Sequence, residues 1–299
     1  MTPSSLYVLE HLHHALDMHV HAAPDIINRI CDDVDMARAV MATGMDGAVI
    51  KNHYGGTTQG TLDVNRLAGK AVLFGSLTLN HYVGGFNPYA VEAALRLGAR
   101  VIWFPTRHAE NHTRQKLHAG CDFNASIPLR QAQGLRAVGK NGELTEQVID
   151  IIELIASKDA CLCTGHISNE EALAVCGEAL RRGVRRIVLT HPDFTLNRLP
   201  VETQIHLARQ GVYIEKTLFT ASGGIVSAAE LLIGVRKAGL HRCFLSSDYG
   251  MVTKPAPWKG MAQWVSLAAE NGFSEQETAL LVSRVPRFLV GLDDDPPSP

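Results

Sequence analysis

Five residues of this sequence have the types and the placement to build a metal site: His19, His21, His166, His191 and Asp248. Each stands at or just past the end of a strand-like apolar run. Asp17-Met18-His19-Val20-His21 closes the first run, and Cys161-Leu162-Cys163-Thr164-Gly165-His166 a later one. Ile187-Val188-Leu189-Thr190-His191 closes the next, and Phe244-Leu245-Ser246-Ser247-Asp248 the last. His19 and His21 are two apart, so on an extended strand both imidazoles face one side. A parallel barrel gathers its strand ends on one face, where residues far apart in sequence meet. Imidazoles and a carboxylate converging there are the ingredients of a divalent metal site with an activated water. Taken singly, each has an ordinary reading. A His-x-His arises by chance, a strand-end histidine can be a hydrogen-bonded cap, and Asp makes turns. Their shared register argues for the metal, because strand-end histidines on one face would repel if protonated, and a divalent cation binds them neutral.

The elements that must position these residues read as an α/β chain, a (β/α)8 TIM barrel. Eight strands are expected at Ala15–Val20, Gly47–Lys51, Ala71–Leu79, Arg100–Pro105, Ala160–Gly165, Arg186–Thr190, Val212–Lys216 and Arg242–Ser247. Most are near-continuously apolar, as parallel strands buried on both faces should be. Helical patterns at Asp33–Thr43, Asn87–Leu97 and Asn169–Arg182 run into Gly44, Gly98 and Gly183, glycine stops that each precede a strand. Asn87-Pro88, Ser168-Asn169-Glu170-Glu171 and Ser274-Glu275-Gln276-Glu277 read as N-terminal caps. Most strand-to-strand spacings are about 25–31 residues, one βα unit each. Between strands four and five the spacing is about 60, so a longer excursion from Thr106 to about Glu143 leaves the site face. It carries Arg107, His108, His112, Arg114 and His118. A lid, a structural excursion and a dimer contact remain open for it. One domain over residues 1–292 and a mobile tail over 293–299 are expected.

At 299 residues, with 46% hydrophobic residues and a formal charge of -2, the chain can bury a large core. Scattered Lys and Arg give no nucleic-acid footprint and no polybasic membrane patch. No apolar run is long enough to span a bilayer. Met1–His14 lacks a basic start followed by an apolar stretch, so no signal peptide is expected. The six cysteines form no Cys-x-x-Cys pair, and reduced thiols in a cytoplasmic protein are the simplest account. A small-molecule substrate is expected, and a homo-oligomer is compatible with the sequence.

His-x-His on strand one, His on strands five and six and Asp on strand eight resemble the ligand order of the amidohydrolase superfamily of metal-dependent barrel enzymes. Ser247-Asp248-Tyr249 and the closing Val285-Pro286-Arg287-Phe288-Leu289-Val290-Gly291-Leu292 are also similar to its last strand and helix. The resemblance covers essentially the whole chain. More narrowly, with Ala22-Ala23-Pro24-Asp25, Val49-Ile50-Lys51-Asn52-His53 and Phe104-Pro105-Thr106, it resembles an uncharacterised branch of that superfamily. It implies one or two divalent ions, Zn2+ first, with Mn2+ or Fe2+ as alternatives. Their ligands would be His19, His21, His166, His191 and Asp248, with Asp248 and His191 catalytic. Asp248 would be the general base for a metal-activated water attacking an amide, cyclic amide, lactone, ester or phosphoester. The departure from the family is on strand four, where Trp103-Phe104-Pro105-Thr106-Arg107-His108 holds neither a bridging Lys nor a Glu. In a mononuclear reading His19, His21, His166 and Asp248 hold the ion and His191 polarises the substrate. Otherwise Lys51 or Glu215 bridges two ions, or the two pair with each other. Lys51, His53, Arg107 and Glu215 are expected to bind the substrate or to orient the ligands from behind. Arg107 and Arg114 are candidate clamps for a carboxylate or phosphate. A metal-dependent decarboxylase, a non-catalytic metabolite-binding barrel and a purely structural barrel are the alternatives.

Overall fold

Among the described residues, eight parallel strands surround a common interior. They are β1 (Leu16–Val20), β2 (Gly47–Ile50), β3 (Leu73–Phe74 and Ser76–Thr78, on either side of Gly75), β4 (Val101–Trp103) and β5 (Cys161–Cys163). β6 (Arg186–Leu189), β7 (Tyr213–Thr217) and β8 (Cys243–Ser246) complete the set. The structure, a computed structural model, describes residues 12–115, 133–224 and 226–298. His118 and Cys121 lie outside the described residues.

Each strand pairs with its neighbours in sequence, every pair parallel. The ladders form two sheets rather than one continuous ring: β1, β2 and the first piece of β3, then the second piece of β3 through β8. The sequence read Ala71–Leu79 as one uninterrupted strand. The break has a local cause. Thr57 takes the ladder groups of Ser76, its Oγ1 accepting from Ser76 N at 2.9 Å and its N donating to Ser76 O at 2.9 Å. Gly75 admits this approach, since a Cβ there would run into Thr58. On the other side, β1 meets the chain just past β8. Asp248 N donates to His19 O and His21 N donates to Tyr249 O, both at 2.9 Å.

The interior is filled by Leu16, Met18, Val49, Phe74, Val101, Trp103, Cys161, Cys163, Val188, Tyr213 and Phe244. Val285, Phe288 and Leu289, from the helix Val285–Leu289, pack into the same cluster and plug the end opposite the site. The strands' other faces, such as Ile50, Ile102, Leu162, Ile187, Ile214 and Leu245, pack against Val40, Val91, Ile151, Val175, Leu231 and Trp264 of the surrounding helices. Burial on both faces explains why the strands read as apolar runs without alternation. In β1 the pairing register shifts between Asp17 and Val20. That irregularity lets Met18 pack in the interior while His19, the next residue, also turns inward.

The caps are as the sequence reads them. Asn87 accepts from Tyr89 N, and Ser168 with Glu171 and Ser274 with Glu277 form capping boxes. Gly44 and Gly98 take left-handed C-cap conformations. The excursion leaves β4, forms the short helix Glu110–Arg114, and returns beside its own departure, where Glu110 N donates to Leu135 O at 2.8 Å. At the C-terminal end, Asp293 and Asp294, expected to open a mobile tail, accept bonds from Arg287 and Arg185. Among the described residues, no helix is long and apolar enough to cross a membrane.

Candidate metal centre

The end of β1 and the turn after β8 bring His19, His21 and Asp248 to one spot. Asp248 Oδ1 lies 3.1 Å from His19 Nε2 and 3.3 Å from His21 Nε2. One donor atom from each residue falls within 4.8 Å of the other two. Asp248 reaches this position through a left-handed backbone, φ 53°. The following Gly250 is required there, because its φ is 144° and a Cβ would collide with His21 O.

Both imidazoles are oriented from behind. His19 Nδ1 stands 2.9 Å from Glu215 Oε1, and His21 Nδ1 stands 3.0 Å from Lys51 O. Each oxygen is an acceptor, so Nδ1 carries the hydrogen and the Nε2 lone pair points toward Asp248. Burial holds His19 neutral, its pKa pulled down to about 3 against the opposing charge of Asp248. Burial pulls His21 well below the usual histidine range as well, and the charges of Arg29 and Lys51 add to it. Burial raises Asp248 above the ordinary carboxylate range, against the attraction of His19 and Lys51.

Glu215 is completely buried in β7 and holds three donors. Its Oε1 accepts from His19 Nδ1 and from Ser246 Oγ at 2.8 Å, and its Oε2 accepts from His191 N at 3.0 Å. Lys51, just past β2, does not pair with Glu215. Its Nζ lies 2.9 Å from His19 Nε2 and 4.3 Å above the Trp103 ring. A cation already sits against the lone pair that a metal ion would use, and an ion taken up there displaces the Lys51 ammonium.

His166 and His191 lie beside the convergent trio, not within it. His191 has φ 27°, and its buried Nδ1 has no hydrogen-bond partner. Burial also takes its pKa down to about 3. His166 turns its Nδ1 toward His112 Nδ1, 2.8 Å away, with the two rings stacked 5.0 Å apart. His53 lies 4.8 Å from the His21 ring, centroid to centroid, and 6.4 Å from the His166 ring. His166 to His191 is 5.0 Å, His191 to His19 is 5.9 Å and His19 to His21 is 5.3 Å. The five imidazoles therefore form a closed ring around the mouth. Arg114 is exposed and pairs with Glu110 at 3.2 Å, a carboxylate that Arg136 shares. Arg107 stays at the mouth.

Several residues at the site escaped the sequence reading. Asp17 Oδ1 ties the two ligand-bearing segments together, accepting from His19 N at 3.1 Å and Ser247 N at 3.0 Å. Asn80, which follows β3, accepts from Thr106 N and His108 N at 3.0 and 3.1 Å and donates to His53 O at 2.9 Å. His53 Nδ1 completes the cluster at 2.8 Å from Thr106 Oγ1. Asp17 and Asn80 carried an available signal, a polar residue at the end or inside of an apolar strand. Trp103, packed 4.7 Å from the His19 ring, carried none.

These protonation states set the pH behaviour of metal uptake. His19 and His21 are neutral throughout the weakly acidic range and give up no proton to an incoming ion; Asp248, raised by burial, does as the pH falls. Between pH 6 and pH 5 the dissociation constant for Zn2+ should rise by no more than about tenfold, one proton's worth. Two histidines titrating at their ordinary value would give a rise approaching a hundredfold. Competition with a chelating dye at the two pH values distinguishes the cases.

A family model described as a family of unknown function, DUF6282, matches residues 14–215. The chain belongs to that family. No curated protein matches its sequence. Solved structures match its fold. An amidohydrolase from Pseudomonas aeruginosa is 10% identical with a TM-score of 0.64, covering 97% of this chain and 100% of its own. The probable dipeptidase PvdM from Pseudomonas aeruginosa is 12% identical with a TM-score of 0.60, covering 94% and 96%. A 2,6-dihydroxybenzoate decarboxylase, complexed with 2,6-dihydroxybenzoate, is 11% identical with a TM-score of 0.55, covering 93% and 98%. This DUF6282 chain thus shares the barrel fold of the amidohydrolase superfamily.

Proposed function

We propose that the protein is a metal-dependent hydrolase of small molecules, acting on an amide, cyclic amide, lactone or ester. The observation that carries this reading is the convergence of His19 Nε2, His21 Nε2 and Asp248 Oδ1 with both histidines oriented from behind. The donor set fits a divalent ion. Two neutral imidazoles turn their Nε2 lone pairs to one spot, where His19 Nε2 also meets Lys51 Nζ, a carboxylate lies between them, and the buried Nδ1 of His191 is left without a partner. Imidazole and carboxylate suit Zn2+ first, with Mn2+ or Fe2+ as alternatives. Such an ion supplies Lewis acidity that makes a water acidic near neutral pH. His19, His21 and Asp248 would hold it. Glu215 would stay behind His19 as its orienting acceptor, since both its oxygens are already engaged.

Asp248 has the second task. Its carboxylate would accept a proton from the attacking water and return it to the leaving group. His191 Nδ1 offers a hydrogen bond to the substrate oxygen on which charge develops. His166, braced by His112, and His53, braced by Thr106, wall the space where the substrate sits.

Elemental analysis of the purified protein, with His19→Ala/His21→Ala beside it, tests this reading. About one divalent ion per chain in the wild type and none in the variant is the expected result. It should be accompanied by hydrolysis of at least one member of an amide, lactone and ester panel. A wild-type protein that takes up no ion, even when supplied with zinc or manganese, overturns the reading. Bicarbonate release without a hydrolytic product would make the enzyme a decarboxylase.

A further inference from the structure

The mouth of the barrel holds two hydrogen-bond donors without a partner among the described residues. Arg107 is half-buried, yet among the described residues its guanidinium makes no hydrogen bond and no ion pair. It lies over the Tyr54 ring, 5.7 Å from Cζ to centroid. The Tyr54 hydroxyl is itself buried and without a partner. Arg29, the neighbouring guanidinium, differs in being committed to Asp25 at 2.7 Å.

Arg107 is also held in place. Asn80 Oδ1 accepts from the backbone N–H on either side of it, Thr106 and His108, and Asn80 Nδ2 grips His53 O and Thr106 Oγ1. The same asparagine therefore fixes the loop that carries Arg107 and the loop that carries His53 and Tyr54. Tyr54 packs edge-on against His53 at 6.2 Å and against Tyr82 at 5.1 Å. His53 in turn lies on His21. A guanidinium and a phenol, fixed one residue outward from the histidine ring and lacking acceptors, are built for a ligand that brings acceptors.

Charge balance points the same way. A divalent ion held beside Asp248 and Glu215 would be neutralised by those two carboxylates. Among the described residues, no carboxylate pairs with Arg107, and its positive charge stays at the rim.

We propose that Arg107 and Tyr54 bind an oxyanion on the substrate, a carboxylate or a phosphate, so that the site takes anionic small molecules. The proposal rests on His19, His21 and Asp248 being the reacting centre, with the anion anchored outward from them past His53.

Calorimetric titration with succinate, inorganic phosphate and the uncharged succinamide tests it, on Zn2+-supplied and on metal-stripped protein. Wild type should bind one of the anions at least about tenfold more tightly than succinamide, and Arg107→Gln should lose about tenfold or more of that affinity. Tyr54→Phe should lose about threefold to tenfold, the share of one hydroxyl. Arg66→Gln, on an exposed helix, should match wild type, and Arg107→Lys serves where Arg107→Gln does not fold. Preference for succinate assigns a carboxylate, and preference for phosphate a phosphoryl group. Succinamide binding as tightly as succinate, equal anion binding by Arg107→Gln, or no anion binding in either protein overturns the proposal. Elemental analysis of the same samples keeps the two readings apart. Arg107-dependent anion binding in a protein that retains no zinc sinks the metal centre and leaves the anion site standing.

Discussion

Asp248→Asn should keep the metal and lose the reaction. Asparagine tolerates the left-handed backbone that Asp248 adopts at φ 53°, so the turn after β8 should survive the change. Its Oδ1 can still lie between His19 Nε2 and His21 Nε2, where the carboxylate oxygen now sits at 3.1 and 3.3 Å. What an amide cannot do is take up a proton and give it back. Metal affinity should therefore fall by about tenfold at most, while turnover falls by about a thousandfold or more, the scale of a lost general base. Elemental analysis and initial rates on one preparation measure both. A turnover loss of only a few-fold would remove Asp248 from the proton path and leave it a ligand. Loss of metal together with turnover would show that its negative charge, not its basicity, is what the site needs.

The part of the site legible in the sequence is the part that strand geometry dictates. His19 and His21 had to share a side because side chains alternate along a strand. His166, His191 and Asp248 had to reach the same face because parallel strands end there. Which donor atoms converge was not legible. His166 faces His112, a residue on the excursion after β4 that no periodicity ties to β5. The inward turn of His19 directly after an interior Met18 needs the register shift in β1, which leaves no trace in an apolar run. The same holds for the sheet break at Gly75, which depends on a hydroxyl from a different loop. Glu215 was legible as a charged residue in a strand. That both its oxygens are spent on His19, Ser246 and His191 is a fact of three-dimensional packing, and it separates an orienting role from a bridging one. Arg107 and Arg114 looked alike in sequence. They differ because Glu110, one helical turn before Arg114, pairs with it, while Asn80 fixes the loop that carries Arg107.

Glu215→Leu should be the most damaging single change to the folded state near the site. The carboxylate is fully buried, and burial raises its pKa against the pull of His191 and Ser246, so ionising it there is costly. Leucine removes that cost. It also strands His19 Nδ1, His191 N and Ser246 Oγ, three donors with no water to turn to. Each orphaned donor costs about 1–3 kcal/mol, so the net loss should be roughly 3 kcal/mol or more after the relief from removing the charge. Urea unfolding of the metal-stripped protein measures it. With His19 no longer held by its Nδ1, the imidazole can rotate or change tautomer, and zinc affinity should fall by about 10–100-fold. Glu215→Gln separates these effects. It keeps an acceptor for one side of the cluster while turning an amide N–H against a donor on the other. Stability should recover in part, and zinc affinity should recover only if the carbonyl oxygen settles on His19. A leucine variant as stable as wild type that also binds zinc normally would mean that Glu215 orients nothing. The buried carboxylate would then have to act on the bound ion or the substrate directly.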